Sequence, residues 1–221
     1  MLAQTLQLNG TFIARKGSKQ YRGAMLTSNP AFTIQWHITT DCSNRCRHCY
    51  MFDSATYEEE RVNTLGLDDM FRVLDSLADF ENKWGADIGC FAITGGDPLM
   101  REDWQVFLGE LKRRGKMVTL MGNPETVTEE SVACLKKLGI NTFQMSLDGL
   151  ESGHDGMRSK GSFRRTVGKI GFLEKRGISV NIMFTLFPDN AEELIPLMRY
   201  VAQNTPASSF SFDVVAPSAP R

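Results

Sequence analysis

Apolar residues along this chain fall into two alternating patterns. Short runs rich in β-branched and aromatic residues predict strands at 32–39 (FTIQWHIT), 88–94 (IGCFAIT), 116–121, 142–147, 179–187 and 209–215. Between them lie segments whose apolar residues recur at helical spacing, at 67–84, 103–115, 128–139, 162–177 and 191–204. In the first of these, Met70, Phe71, Leu74 and Leu77 share one side. Punctuation agrees with the pattern. Thr128 stands where an N-cap belongs, followed by the acidic Glu129 and Glu130, and Gly115, Gly139 and Gly177 close their helices. Pro196 falls near a first helical turn, where proline is better tolerated.

Strand–helix alternation with buried, apolar strands predicts a parallel sheet joined by right-handed crossovers. An open doubly wound sheet and a curved or closed barrel both fit this alternation. A complete eight-fold barrel normally needs about 250 residues, and this chain of 221 residues has strands for about three-quarters of one. Residues 1–31 form an N-terminal extension with a possible hairpin at LNGT (8–11), and residues 32–221 form the β/α unit.

Composition narrows the function classes. A chain 42% hydrophobic and 23% charged is an ordinary globular one. A formal net charge of -1 gives no electrostatic case for nucleic acid or an anionic membrane as partner. No apolar run reaches the roughly 18 residues of a membrane span, and the first ten residues lack the charged and apolar regions of a secretory signal. Five cysteines, an odd number with three crowded together, do not form a disulfide framework; a reducing cytoplasm is the simplest compartment.

Those three are Cys42, Cys46 and Cys49, in DCSNRCRHCY (41–50). The loop directly follows the first predicted strand. GGDPL (95–99) follows the second, and SLDG (146–149) ends the fourth. Parallel β/α folds collect their ligand sites at the carboxyl ends of the strands, so all three polar segments fall on one functional rim. Thiolates suit iron–sulfur clusters and zinc. A four-iron cluster held by three cysteines keeps one iron open, as a catalytic site requires. A zinc site completed by His48 or another residue, or three unligated thiols, are the alternatives; His48 lies immediately between Arg47 and Cys49, which makes joint ligation awkward.

Each remaining segment has a plain structural reading beside a functional one. Gly95 and Gly96 allow close approach of a ligand to the backbone and Asp97 offers an anion to a cationic group; the same residues suit an ordinary β-to-α turn. Ser146 and Asp148 present a hydroxyl and a carboxylate to a polar ligand, or end a strand with a local cap. Arg158 can pair with a carboxylate or lie on the surface. Cys90 and Cys134, in a strand and a helix, are read as small buried side chains.

Taken together, CSNRCRHCY, GGDP and SLDG resemble the radical S-adenosylmethionine (SAM) superfamily over residues 32 to about 215. The resemblance implies a partial (β/α)6 barrel in which Cys42, Cys46 and Cys49 hold a 4Fe-4S cluster and SAM chelates the open iron. It implies that Gly95, Gly96 and Asp97 form the segment that binds the SAM amino group, with Asp97 where the family more often has glutamate. It implies that Ser146 and Asp148 contact SAM ribose or carboxylate, that Arg158 binds a carboxylate, and that His48 lies beside the adenine. The implied chemistry is one-electron cleavage of SAM to methionine and a 5′-deoxyadenosyl radical, which takes hydrogen from a substrate. A flavodoxin or ferredoxin-type electron donor is implied as well.

CRHCY, SLDG, the HD-x-x-R pattern of His154, Asp155 and Arg158, and the strand at 179–187 resemble peptide- and protein-modifying members. These are the thioether-forming maturases of ribosomal peptides and the anaerobic sulfatase-maturing enzymes. Many carry a cysteine-rich SPASM or twitch domain. After Cys49 only Cys90 and Cys134 remain, so that domain is not expected in this chain, nor is a final covering helix after the sixth strand. The leading expectation is a radical SAM enzyme acting on a peptide. The alternatives are protein modification such as sulfatase maturation, a small-molecule substrate such as a tetrapyrrole or cofactor precursor, a SAM-binding protein that does not cleave it, and a non-catalytic zinc-binding β/α module.

Overall fold

The computed structural model describes residues 31–52 and 57–214. The hairpin expected at 8–11 lies outside them. Six strands, β1 (Ala31–His37), β2 (Asp87–Thr94), β3 (Met117–Met121), β4 (Thr142–Ser146), β5 (Ser179–Leu186) and β6 (Ser209–Val214), form one sheet. Every neighbouring pair is parallel and the spatial order is the chain order. A sheet that adds each strand beside the last, crossing through helices each time, curls in one direction. The result is the partial (β/α)6 barrel, with β1 and β6 as its two edges.

The connections carry α1 (Tyr57–Val62), α2 (Leu67–Trp84), α3 (Trp104–Arg113), α4 (Glu129–Lys137), α5 (Glu151–Met157), α6 (Ser162–Glu174) and α7 (Leu194–Asn204). The five predicted helices are present, with ends trimmed where capping turns replace helix. Thr128 caps α4 in a reciprocal pair with Ser131. A 3-10 stretch, Pro188–Glu193, precedes α7 and moves its start past the predicted residue 191. The helices α1 and α5 escaped the periodicity. The first is YEEERV with no buried residue, and the second carries two glycines, Gly153 and Gly156, so neither shows an apolar stripe.

One continuous core lies between sheet and helices. Phe91, Ile93, Leu120, Phe143, Ile182 and Phe184 from the strands pack with Leu74, Phe107, Leu111, Leu135, Ile170 and Leu197 from the helices. Each such side chain contributes about 1.5–3 kcal/mol by leaving water. Cys134 packs against this core and Cys90 lies in β2; both are half-buried, not enclosed as expected, because Cys90 faces away from the helices. Among the described residues no helix is long and apolar enough to cross a membrane.

Candidate active site

The cysteine loop is locked to the end of the sheet by backbone bonds that prolong the β1–β2 ladder. Ile38 N donates to Thr94 O at 3.0 Å, Gly96 N to Thr39 O at 2.8 Å, and Asp97 N to Asp41 O at 2.7 Å. The glycine pair makes this approach possible. A Cβ on Gly95 would sit 2.2 Å from Thr39 O, and one on Gly96 would sit 2.2 Å from Asp41 O. Gly95 also has φ +140, a conformation L side chains rarely adopt. The backbone entering the cysteine loop makes this close approach.

Cys42, Cys46 and Cys49 are half-buried free thiols. Cys49 N donates to Cys46 O at 3.0 Å, which folds the loop back on itself. The sulfurs draw donors from three directions. Asn44 N reaches Cys42 Sγ at 3.4 Å, Asn123 Nδ2 reaches the same sulfur at 3.1 Å, and Arg158 Nη1 lies 3.7 Å from Cys46 Sγ. Burial pushes the Cys42 and Cys46 thiols up; hydrogen bonds from Asn44 and Asn123 pull Cys42 down, Arg158 pulls Cys46 down, and nearby thiol and carboxylate charge raises both. Thiols gathered this closely need a cationic group to stay ionised together, and a bound metal supplies it.

Among the described residues no three His, Cys, Asp or Glu side chains converge on the point a single ion would occupy. Three cysteine thiols on one rim loop are a donor set that could hold a 4Fe-4S cluster with one iron left open. The His48 ring packs against Phe187 with centroids 5.2 Å apart, and its buried Nδ1 has no partner. Burial, with Arg158 nearby, keeps that imidazole neutral by lowering its pKa.

The Asp97 side chain is fully buried and turned inward. It accepts from Leu99 N at 3.1 Å, Thr126 Oγ1 at 2.8 Å and Asn123 N at 3.4 Å. Burial raises its pKa in spite of these bonds. Asp97 thus ties the loop after β3 to the loop after β2. The sequence reading missed that third loop, and with it Asn123 and Thr126; NPET (123–126) directly after a strand was the available signal.

Arg158 and Asp148 also meet each other first. Arg158 Nε donates to Asp148 Oδ2 at 2.5 Å, and both side chains are nearly enclosed. Burial alone would raise Asp148; the Arg158 charge and hydrogen bond hold it below the usual carboxylate range. Asp148 Oδ1 accepts from Thr185 N at 3.1 Å, and Asn190 Nδ2 donates to Asp148 O at 3.0 Å. His154, fully buried, accepts from Asp148 N at Nδ1 (3.1 Å) and lies 3.1 Å from Ser162 Oγ at Nε2. The Nδ1 contact makes it a neutral Nε2–H tautomer, and burial lowers its pKa to about 4. This cage fixes Arg158, which was expected to bind a ligand carboxylate, between Asp148 and Cys46. Ser146 ends β4 half-buried.

Below the rim lies the inner face of the curled sheet. Trp36 packs edge-on to Phe107 of α3 at 5.2 Å, which marks the helix-facing set of β1. The register carries that parity across the sheet, leaving Gln35, Thr119, Gln144, Asn181 and Ser211 on the opposite face. Asn181 Nδ2 donates to Gln144 Oε1 at 2.9 Å and to Ser211 Oγ at 3.1 Å, and Ser209 Oγ donates to Asn181 Oδ1 at 2.9 Å. Among the described residues no strand position on this face carries Lys or Arg. A cleft of about 400 Å³ between α2 and α3, lined by Leu74, Glu81, Arg114 and Lys116, lies away from these groups and holds no thiol.

A partial parallel barrel with three thiols on its catalytic rim defines an α/β enzyme built around a metal cluster. The model of the radical SAM superfamily matches residues 36–201, and the chain belongs to that superfamily. Its members use a 4Fe-4S cluster and SAM. The chain is 26% identical over 211 residues to the antilisterial bacteriocin subtilosin biosynthesis protein AlbA of Bacillus subtilis, covering 92% of this chain and 45% of that one. It is equally 26% identical over 162 residues to an Fe-coproporphyrin III synthase of Methanosarcina barkeri, covering 73% and 38%. Among solved structures, Streptococcus suis SuiB bound to the precursor peptide SuiA matches with TM-score 0.68 at 18% identity, over 86% of this chain and 40% of that one. The anSMEcpe structure with bound AdoMet and a peptide matches at 0.66, with 14% identity over 85% and 52%. The chain spans about half or less of these relatives.

Proposed function

We propose that this chain is the radical-generating core of an enzyme that modifies a peptide. The observation that carries the substrate class is an inner face without lysine or arginine among the described strand positions, lined by amides and hydroxyls from Gln35, Gln144, Asn181 and Ser211, with the Asp213 carboxylate at its β6 end. Such a face matches the donors and acceptors of a peptide backbone. A tetrapyrrole bearing several carboxylates calls for cations along its path, because buried unpaired carboxylates are costly. Likeness to AlbA and to the peptide-bound SuiB structure supports the same reading. Likeness to the coproporphyrin synthase keeps the tetrapyrrole as the competing substrate.

In this reading Cys42, Cys46 and Cys49 hold the cluster, which together with SAM supplies a 5′-deoxyadenosyl radical when bound. The chain does the rest. Gly95 and Gly96 let the start of the cysteine loop pack against the end of β2. Gly95, Gly96 and Asp97 form the segment that binds the SAM amino group, and the Asp97 carboxylate also positions the loop after β3. Arg158, held by Asp148, offsets negative charge at Cys46. His48 and Phe187 present an apolar ring surface beside the loop, suited to the adenine, and Ser146 offers a hydroxyl on the rim. The curled sheet excludes water from the reacting hydrogen.

Anaerobically reconstituted protein with dithionite and SAM should release 5′-deoxyadenosine. Chromatography with mass detection compares peptides encoded beside the gene with iron-coproporphyrin as additions. Modification of a peptide supports the proposal. Modification of the porphyrin, with peptides untouched, refutes it.

A further inference from the structure

We infer that Asn123 sets the reduction potential of the cluster by donating a hydrogen bond to the Cys42 sulfur. The inference rests on the proposal that Cys42 is a cluster ligand. Asn123 follows β3 and is 9% exposed. It stands at the N-cap of a 3-10 turn, Pro124–Thr126, a position where asparagine ordinarily spends its side chain on the turn's own backbone. Here no such capping bond forms. The amide instead turns to Cys42 Sγ, at 3.1 Å from Nδ2.

Neighbouring residues hold it in that pose. Its backbone N donates to Asp97 Oδ2 at 3.4 Å, and Thr126 Oγ1, 2.8 Å from the same carboxylate oxygen, lies 3.3 Å from Asn123 O. A fully buried carboxylate anchoring a nearly buried amide is a firm support for one N–H···S contact. Two side chains, Asp97 and Asn123, thus link the loops after β1, β2 and β3.

The physical consequence follows from charge. One-electron reduction adds negative charge that spreads onto the sulfurs, so a donor aimed at a ligand sulfur stabilises the reduced state more than the oxidised one. Asn123 therefore raises the potential and makes the cluster easier to reduce. Cys42 has a second donor in Asn44 N at 3.4 Å, a longer contact on the same loop, which every side-chain variant at Asn123 leaves in place.

The test is a dye-mediated redox titration of reconstituted protein without SAM, read by electron paramagnetic resonance. Asn123→Ala removes the donor, and the near-isosteric Asn123→Asp replaces it with an anion. Both should load wild-type iron and sulfide yet titrate at more negative potential, Asp further than Ala. At a fixed potential near the wild-type midpoint the reduced-to-oxidised ratio should fall several-fold, a tenfold fall corresponding to about 59 mV for one electron. Asn123→Gln, which keeps a donor, should recover part of the shift. A merely structural asparagine would change unfolding temperature and leave the midpoint alone. Unchanged midpoints in cluster-loaded Ala and Asp variants overturn the inference. Loss of the cluster in both also overturns it, because Asn123 would then serve assembly. Failure of the underlying ligand assignment shows separately, as a full four-iron complement and unaltered midpoint in Cys42→Ala.

Discussion

Gly96→Ala tests the contact on which the rim depends. The added methyl would lie 2.2 Å from Asp41 O, 2.6 Å from Asp41 C and 2.7 Å from Thr40 O, all backbone atoms. To reach an ordinary contact the cysteine loop must retreat by about 1 Å. Two short bonds span that gap, Gly96 N to Thr39 O at 2.8 Å and Asp97 N to Asp41 O at 2.7 Å, and both would pass out of range. A donor left unsatisfied costs about 1–3 kcal/mol, so the pair costs about 2–6 kcal/mol. For a domain of this size that lowers the unfolding midpoint by about 4–24 °C. Thermal unfolding of the apo protein reads the stability, and iron and sulfide per chain after reconstitution read the cysteine loop. Gly109→Ala is the control. It lies within α3, where the new methyl meets only Leu138 Cδ2 at 3.6 Å, and it should be neutral or stabilising by up to about 1 kcal/mol. A Gly96→Ala protein with wild-type midpoint and wild-type iron would show that this packing does not support the site.

Replacing Cys42, Cys46 and Cys49 together with alanine should abolish iron and sulfide binding and the broad visible absorption; a triple variant that keeps a four-iron cluster removes them as ligands. Arg158→Gln strands the Asp148 carboxylate in a buried site and should cost about 3–5 kcal/mol in urea unfolding, with part regained in the Asp148→Asn/Arg158→Gln double variant. A double variant no better than the single one would argue against the pair. His154 gives a pH signature. Its pKa is about 4 folded, against 6.5 for the ordinary side chain, so between these values the unfolded chain binds a proton that the folded one does not. That contribution is full above pH 6.5 and is lost as pH falls toward 4, by up to about 3 kcal/mol. His154→Gln should flatten this part of the pH–stability curve, and an unchanged slope between pH 7 and 5 would contradict the buried neutral imidazole.

The order of strands and helices was legible in the chain because burial imposes its own periods. A strand such as 142–147 has to place apolar residues on the helix side, and Phe143 and Met145 do so. The short helices α1 and α5 were not legible, since a polar helix and a glycine-bearing one leave no stripe. Glu193 shows what holds α5 instead: its carboxylate accepts from Leu150 N at 2.5 Å, 43 residues away in the chain. The rim was legible for the same reason as the strands. Its three polar segments follow β1, β2 and β4, and parallel topology brings such ends together.

By itself the sequence determined the parallel β/α architecture, the cysteine triad and its superfamily, because local periodicity and close spacing are properties of neighbouring residues. Only the tertiary structure decided what each polar group faces. Asp97 and Arg158 looked like groups waiting for a ligand. Folding gave Asp97 the loop after β3 and gave Arg158 to Asp148, since a charge carried into a low-dielectric interior must find partners there. It also turned Asn123 toward Cys42, 81 residues away along the chain. No local pattern encodes a contact of that span; it exists because the ends of β1 and β3 are carried to the same rim.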